Sequence, residues 1–350
     1  MKLDDLVTRK SEWIKGEGPD SNIVMSTRVR VARNLSGHPF FGRASDAQKE
    51  ETLEMVSGAA KKSSMLKESL FLRMRDVSPL DRQFLVERHL MSPEHMQDVE
   101  YKGIEIEDKE IASAMINEED HVRLQVIQSG FNVMEAWRIV DEIDTDLGRN
   151  LKFDYSNKFG YLTSCPTNTG TGLRASVMLH LGALVMTDQM DKVYEAISKL
   201  GLTIRGFYGE GTEAYGDFFQ ISNQVALGRS EMDILDNLER IARKIISREQ
   251  ATREILISKN REAMNDRIYR SYGTLKSARI ITSSETIKLL SSVRLGVDLG
   301  LVSDIDIAGV NEVLLLSQPA HLQKIYKKEL SPMERDVKRA DLVREKLGNG

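Results

Sequence analysis

The residues best suited to chemistry lie in one short run, Asn117-Glu-Glu-Asp-His-Val-Arg123, which places three carboxylates beside a histidine and an arginine. Solvated turns favour Gly, Pro, Asn, Asp and Ser rather than paired glutamates, so the run is unusual for a turn. Carboxylates can orient a guanidinium group and accept its proton. From the run alone, a charged surface loop and a catalytic segment are both open.

A second set of chemically capable residues is a group of arginines, each on the polar face of a predicted strand or beside a glycine-rich loop. They are Arg28, Arg30, Arg123, Arg174 and Arg205. If they converge, their guanidinium groups can bind a polyphosphate by paired hydrogen bonds and stabilise a phosphoryl group during transfer. The chain has no G-x-x-x-x-G-K-[ST] loop and no protein-kinase H-R-D or D-F-G signature. Solvated strand faces are the alternative.

Alternating and helical patterns predict the elements that position these residues. Strands are expected at 23–32, 122–126 and 218–222, a hairpin at 151–164, and helices at 45–63, 78–89, 173–186 and 187–201. Such irregular alternation indicates an α+β fold with a mainly antiparallel sheet flanked by helices. From Ser230 onward nearly every segment is predicted helical. We therefore expect an N-terminal lead-in at 1–20, a catalytic domain at 21–255 and an all-helical regulatory or dimerisation domain at 256–350.

Composition restricts the function classes. The 350 residues are 41% hydrophobic, 29% charged and carry a net charge of −4, which argues against general nucleic-acid or anionic-membrane binding. The single Cys165 cannot form an internal disulfide, no run approaches the length of a membrane span, and the N-terminus lacks signal-peptide features. These features predict a cytoplasmic protein. No Cys, His or acid cluster has the spacing of a zinc site.

Six ordered motifs carry a resemblance to a known family. They are S-T-R-V-R (26–30), N-E-E-D-H-V-R (117–123), C-P-T-N-T-G-T (165–171), L-R-A-S-V (173–177), R-G-F-Y-G-E (205–210) and Q-I-S-N (220–223). Together they resemble the phosphagen kinases, which move the γ-phosphate of ATP onto a guanidino nitrogen. The resemblance covers about residues 21–253 and implies the phosphagen-kinase catalytic fold, ATP as co-substrate and Mg²⁺ bound through the nucleotide rather than by protein ligands.

The resemblance also implies roles for individual residues. Glu119 and Glu210 match the carboxylates that hold the acceptor guanidinium, Cys165 matches a supporting cysteine near it, and His89 matches an adenine-side histidine. The residues implied in ATP binding are Ser26, Thr27, Arg28, Val29, Arg30, His89, Arg123, Arg174, Ala175, Ser176, Val177, Met178, Arg205, Gly206, Phe207, Tyr208, Gly209 and Glu210.

Departures from the usual pattern resemble one branch, the bacterial protein-arginine kinases. About twenty residues precede Ser26 where metabolite kinases carry a helical domain, Phe219-Gln220 replaces the usual Tyr-Asp, Thr169 replaces a leucine, and a helical region follows. An open site suits an arginine on another protein. The branch implies a role in stress response and in marking proteins for degradation. It also implies partners: a heat-shock transcription repressor as substrate, a zinc-binding activator protein and a Clp-type unfoldase–protease.

The last predicted helix carries a further motif, Arg335-Asp-Val-Lys-Arg-Ala340. Its pattern alone fits a solvated helix. The string resembles the phosphoarginine-sensing motif of the same branch, which implies an allosteric site at Arg335, Asp336, Arg339 and Ala340. Apolar stripes after Ser230 permit a homodimer but fit an internal core equally well. A kinase of a free small guanidine and a non-catalytic adaptor on the same fold are the alternatives to a protein-arginine kinase.

Overall fold

The computed structural model describes residues 2–206 and 215–348. Within these residues the centre of the fold is an eight-stranded sheet in which every neighbouring pair is antiparallel. The strands are β1 (Val24–Arg33), β2 (Leu70–Arg73), β3 (Gly103–Ile106), β4 (Ala112–Ile116), β5 (Val122–Ser129), the hairpin strands β6 (Tyr155–Ser156) and β7 (Gly160–Tyr161), β8 (Leu173–His180), β9 (Leu202–Gly206) and β10 (Phe218–Asn223). The order across the sheet is β2-β3-β4-β5-β1-β8-β10-β9, with the β6–β7 pair separate.

Helices surround this sheet and make up the C-terminal part. They are α1 (Asp46–Ala60), α2 (Pro79–Glu87), α3 (Val133–Gly148), α4 (Gly182–Met186), α5 (Met190–Lys199), α6 (Glu231–Lys259), α7 (Arg261–Ser277), α8 (Ser283–Asp298), α9 (Ile307–Leu316), α10 (Pro319–Tyr326) and α11 (Pro332–Gly348). The predicted α+β class is confirmed: an antiparallel sheet is flanked by helices and followed by a helical region. No helix in the described part of the chain has the length and apolar content needed to cross a membrane.

The prediction of a helix over residues 173–186 is wrong for most of its length. Leu173–His180 forms β8, which pairs with β1 on one side and β10 on the other, and only Gly182–Met186 is helical. β8 is buried along nearly its whole length, and from Val177 through Leu179 it is a short apolar run. Such a run has no periodicity that separates a buried strand from a helix.

The two faces of the sheet have different surroundings. One face contributes Val29, Val31, Val126 and Val177 to a core shared with α1, α3 and α6. On the other face Met25, Ile127 and Met178 pack with the helices that follow α6. Those helices cover only part of the second face, and the remainder carries the arginines. Side chains at alternate strand positions point to opposite faces of the sheet, so the apolar ones enter the core and the arginines face the site.

The C-terminal helices are tied to the sheet by buried charges. Glu249 on α6 accepts hydrogen bonds from the backbone nitrogens of Ala183 and Leu184, both at 3.0 Å, and pairs with Arg253 at 2.7 Å. Arg253 in turn reaches Asp298 on α8 at 2.6 Å. α6 continues without a break through residue 256, where the sequence predicted a boundary. The division into three domains stays a prediction.

Candidate functional site

Strand pairing brings the five arginines onto one face of the sheet. Arg30 on β1 lies opposite Arg174 on β8, and Arg205 on β9 lies opposite Gln220 on β10. Side chains of directly paired residues share a face, so guanidinium groups from four strands, β5, β1, β8 and β9, form a row across that face. The row closes one wall of a cavity of about 390 Å³, which is lined by Arg28, Arg30, Arg123, Arg174 and Arg205, among others.

Crowding of these cations is visible in their electrostatics. Burial, followed by the charges of Arg123 and Arg174, lowers the pKa of Arg28 to about 10. Burial first, and then the charges of Arg28, Arg123 and Arg174, lower the pKa of Arg30 well below its ordinary value. The Nε atoms of Arg30 and Arg174 are buried without a hydrogen-bond partner among the described residues. Such a cluster can bind a polyanion, because an anion would neutralise the positive charge and accept hydrogen bonds from the unused donors.

One arginine of the row has its own counter-ion. Arg123 Nη1 lies 2.5 Å from an oxygen of Glu118, which is buried and also accepts a hydrogen bond from the Ser92 hydroxyl. Burial alone would raise the pKa of Glu118, but Arg123 outweighs it and holds that pKa below its ordinary value. The pair fixes the position of Arg123 at the start of β5.

Neutral side chains rather than acids hold two other arginines. Arg28 donates to Gln220 Oε1 at 3.0 Å, and Arg174 donates to the Ser222 hydroxyl at 3.3 Å. Gln220 is the position where the sequence departs from the usual aspartate of the resembled family. An amide orients a guanidinium without neutralising it, so the charge of Arg28 remains available to a bound anion.

The end of α2 supplies the histidine of the site. His89 follows the helix in a left-handed conformation with φ of 59°, and its ring meets the edge of Trp13 with 4.6 Å between ring centroids. Burial, with the charge of Arg28 second, lowers the pKa of His89 to about 3, so the imidazole is neutral at physiological pH. His89 lines both the arginine cavity and a smaller adjoining cavity.

The remaining ATP-binding predictions divide according to strand alternation. Ser26, Ser176 and Met178 line the smaller cavity, and Gly206 lines the larger. The alternate positions face the opposite side: Thr27 donates to the Gly130 carbonyl at 2.8 Å, whereas three apolar residues lie in the core, namely Val29, Ala175 and Val177. The structure does not bring these four side chains to the site. Phe207, Tyr208, Gly209 and Glu210 lie outside the described residues.

The acidic run forms the loop of the β4–β5 hairpin, residues 117–121. Asp120 is buried, and its carboxylate accepts from Asn34 Nδ2 at 2.6 Å and from the Ser164 backbone nitrogen at 2.7 Å. Glu119 is exposed. Of the three acids, Glu118 therefore binds Arg123 and Asp120 binds the neighbouring loop. Glu119 faces solvent, within electrostatic range of Arg123.

Glu119 and Cys165 belong to one hydrogen-bonded corner. The Ser164 hydroxyl donates to the Glu119 carbonyl at 2.9 Å, and Cys165 follows directly, with its sulfur 3.0 Å from the Thr167 hydroxyl. Burial first, and Asp120 second, raise the pKa of Glu119 above its ordinary value, which makes this carboxylate a stronger base. Burial first, and then the charges of Arg205 and Arg123, lower the pKa of Arg174 in the arginine row. The Ser164 hydroxyl thus links Glu119 to the loop that carries Cys165.

The C-terminal motif lies away from this cavity, on α11. Arg339 is fully buried, donating from Nε to the Ser317 carbonyl at 2.8 Å and from Nη1 to the Ile281 carbonyl at 3.0 Å. Asp336 accepts a further hydrogen bond from Arg339, and Ala340 is part of the apolar core. Arg335 is half-buried and donates to the Leu330 carbonyl at 3.2 Å. Through its hydrogen bond to Ser317, the residue after α9, Arg339 connects α11 to the end of α9.

Two residues that contribute to the site lie outside the sequence motifs. Trp13 lies in the lead-in and reaches His89, although the segment around it is largely polar. An isolated Trp-Ile pair in such a segment is the one signal that marks it for burial. Gln125 donates to the His89 carbonyl at 2.7 Å across 36 residues of chain, which no local pattern reveals. Among the described residues no group of three or more His, Cys, Asp or Glu side chains is placed to hold a metal ion.

Two family models together match most of the chain. The family model described as ATP:guanido phosphotransferase, C-terminal catalytic domain, matches residues 51–252, and the protein-arginine kinase McsB C-terminal domain matches residues 261–350. A lombricine kinase structure gives a TM-score of 0.59 at 24% identity over 71% of this chain and 76% of that one. A taurocyamine kinase structure from Schistosoma mansoni gives a TM-score of 0.60 at 28% identity over 71% of this chain and 36% of that one.

Full-length relatives are similar along nearly the whole chain. A protein-arginine kinase from Symbiobacterium thermophilum is 47% identical over 99% of both chains. Another from Brevibacillus brevis is 48% identical over 96% of this chain and 95% of that one, and one from Bacillus subtilis is 42% identical over 96% and 93%. The chain therefore belongs to the protein-arginine kinase family and is an ATP-dependent guanidino phosphotransferase.

Proposed function

We propose that the chain transfers the γ-phosphoryl group of ATP to the guanidino group of arginine side chains in proteins. The observation that carries this proposal is a cavity lined by five arginine side chains, one of which, Arg123, interacts electrostatically with an exposed carboxylate of raised pKa, Glu119. The cations suit a triphosphate and the charge of a transferring phosphoryl group, and the carboxylate suits a guanidinium acceptor. The names of the relatives support a protein-bound acceptor.

Each group has a distinct part in the proposed transfer. The arginine row binds the phosphates and holds the γ-phosphorus at the Glu119 end of the cavity. Glu119 orients the acceptor guanidinium and takes one of its protons, because a protonated guanidine is a poor nucleophile. The freed nitrogen attacks the γ-phosphorus, a nitrogen–phosphorus bond forms, and the bond to the bridging β,γ-oxygen breaks to release ADP. Glu210, outside the described residues, is proposed as the second carboxylate on the acceptor.

The cofactor proposal is ATP with Mg²⁺ bound by phosphate and water oxygens. Mg²⁺ typically keeps several waters and binds substrate phosphates with few protein ligands. When bound, it would neutralise phosphate charge. The chain's own residues then complete the neutralisation with the arginine row, and Cys165 provides electrostatic support near the acceptor rather than a covalent intermediate.

The cellular setting extends the proposal. We propose a role in the stress response and in marking proteins for degradation. The proposed partners are a heat-shock transcription repressor, a zinc-binding activator protein and a Clp-type unfoldase–protease. We also propose that Arg335, Asp336, Arg339 and Ala340 sense phosphoarginine. Since Arg339 already binds two backbone carbonyls, such sensing would require a rearrangement around α11.

The deciding experiment offers two acceptors to the enzyme in parallel. A denatured arginine-rich protein and free arginine are each incubated with ATP–Mg²⁺, and products are read by mass spectrometry at neutral pH, since the nitrogen–phosphorus bond is acid-labile. Phosphoarginine on the protein, lost in Glu119→Ala, is the expected result. Transfer to free arginine alone would favour a metabolite kinase, the activity in the names of the structural neighbours. Transfer to neither acceptor, with an activator present, would favour the adaptor.

A further inference from the structure

The wall of the arginine cavity contains one acid whose carboxylate serves another element. Glu87, the last residue of α2, lines the cavity and is almost fully buried. Its carboxylate accepts hydrogen bonds from the backbone nitrogens of Ala320 at 2.9 Å and His321 at 3.0 Å, and from His321 Nδ1 at 2.8 Å. The acid of the cavity wall is thereby engaged by the first turn of α10, 233 residues away in the chain.

This contact supplies what α10 lacks locally. The residue before the helix, Gln318, makes no side-chain capping bond, and Pro319 has no N–H. The first backbone N–H groups of a helix need acceptors, and a negative charge at that end is stabilised by the helix dipole. Glu87 provides both, so α10 is capped by the catalytic part of the chain.

Two more contacts hold α2 and α10 together along their length. Phe84 packs on the ring of His321 with 4.5 Å between ring centroids. Lys324 on α10 reaches Asp81 on α2 at 2.5 Å. The N-terminal end, the middle and the C-terminal end of α2 are therefore all in contact with one short helix.

Consecutive residues at the end of α2 have different anchors. Glu87 binds α10, Arg88 makes a buried ion pair with Glu110 at 2.6 Å, and His89 places its ring in the cavity wall against Trp13. Because His89 is only two residues beyond Glu87 and is held in a left-handed conformation, a displacement of Glu87 changes where the imidazole lies.

We propose that Glu87 is a positioning residue for nucleotide binding, through which the helices after α9 set the affinity of the cavity for ATP and ADP. The proposal rests on the proposed function in taking the arginine cavity as the nucleotide site. Arg339 extends the connection, because its Nε binds the carbonyl of Ser317, three residues before Ala320. Any rearrangement of α11 that withdraws Arg339 loosens the corner from which α10 begins.

The test exchanges the partner of Glu87 and leaves the cavity residues intact. His321→Phe keeps an aromatic ring against Phe84 but removes the Nδ1 donor, whereas His321→Asn restores an N–H donor near the same place. The dissociation constant of Mg–ADP is measured by calorimetry on the full chain, with kcat and KM for ATP on a protein acceptor alongside. We expect His321→Phe to weaken ADP binding and raise KM for ATP by about fivefold while kcat changes less than twofold.

His321→Asn is expected to stay within about twofold of the unmodified chain in ADP affinity. An unchanged ADP affinity in folded His321→Phe, or equal losses of kcat in both variants without a change in affinity, would overturn the proposal. If His321→Phe does not fold, Glu87→Gln takes its place and must weaken ADP binding for the proposal to stand. Direct ADP binding keeps this test separate from the proposed function, because affinities can be compared even if no arginine is phosphorylated.

Discussion

At the residue scale, the guanidinium groups of the arginine row repel one another, and we expect a bound nucleotide to reduce this repulsion. Arg30 is the clearest case, because burial and its cationic neighbours lower its pKa and its Nε has no hydrogen-bond partner within residues 2–206 and 215–348. Replacing it with the similarly long, uncharged Met should raise the free energy of unfolding of the nucleotide-free protein by about 1 kcal/mol. The same change should abolish stabilisation by Mg–ADP. Urea denaturation with and without the nucleotide measures both effects, and a variant that loses stability without nucleotide would contradict this account.

A second residue-scale prediction concerns Glu119 as the proton acceptor. Glu119→Gln should lower kcat by about 100-fold or more, with ADP affinity unchanged, because an amide cannot take the proton. In the unmodified chain the rate should fall as pH falls, since the protonated carboxyl is inactive. The raised pKa places this fall above the usual range of a glutamate. Steady-state rates from pH 5 to 8 provide the measurement. Glu195→Gln, an exposed acid on α5, is the matched control and should retain full activity.

Strand alternation in the sequence was enough to bring Arg28 and Arg30 to one face and to place Arg123 on the polar face of β5. The sequence did not reveal the hydrogen-bond partners that hold the site residues in place. Asn34 and Asp120 lie 86 positions apart, and Glu87 and Ala320 lie 233 apart. Local patterns report the periodicity of one element, whereas these hydrogen bonds depend on how distant elements pack. The division of labour among Glu118, Glu119 and Asp120 was therefore invisible in the sequence.

At the element scale, entry into β8 depends on one glycine. Gly172 has φ of +68°, and a Cβ there would lie 2.6 Å from the Ala32 carbonyl oxygen and 2.5 Å from Arg33 Nη1. Gly172→Ala should cost about 3 kcal/mol of unfolding free energy, from left-handed strain and from separation of β8 from β1.

Gly201 is the matched control because it has φ of +71° and open space around its α-carbon. Gly201→Ala should cost about 1 kcal/mol, from strain alone. Urea denaturation measures the free energy of unfolding of both variants. Equal decreases in the two would show that the contact with β1 does not contribute to stability.

The same strand shows where prediction of elements fails. Capping serines mark the starts of α1, α2, α6 and α11. Each of them accepts a hydrogen bond from the helix that it precedes, and they are Ser45, Ser78, Ser230 and Ser331. β8 has no such markers, and its apolar residues continue without alternation from Val177 to Leu179. Burial by the rest of the fold, rather than local propensity, decides its conformation.

At the scale of the whole molecule, buried histidines should govern acid stability. Burial is the first cause of a lowered pKa at His89, His95, His121, His180 and His321. Below the ordinary histidine pKa the unfolded chain binds protons that the folded chain refuses, so stability falls as pH falls. Between pH 7 and 5.5, His89 and His95, whose pKa values are lowered to about 3 and about 4, should each remove about 1 kcal/mol, and the other three histidines should add to this loss.

Urea denaturation at several pH values between 7 and 5.5 measures this loss. His95→Gln should make the pH dependence shallower by about 1 kcal/mol over that range, because burial lowers the pKa of His95 to about 4 while glutamine can still donate to the Gly103 carbonyl. A free energy of unfolding that stays level from pH 7 to 5.5 would refute the prediction.

The unbroken helix α6 has a consequence for hybrids made from relatives. The first matched family segment ends at residue 252 and the second begins at residue 261, so the last turns of α6, which runs from Glu231 to Lys259, form the seam between them. Parts exchanged at this seam must keep the helical phase. One inserted residue turns everything beyond it by about 100°, whereas seven return it to within about 20°. A graft just before Arg253 that is one residue too long would therefore turn that side chain away from Glu249 and His180, even if every residue of both parents were present.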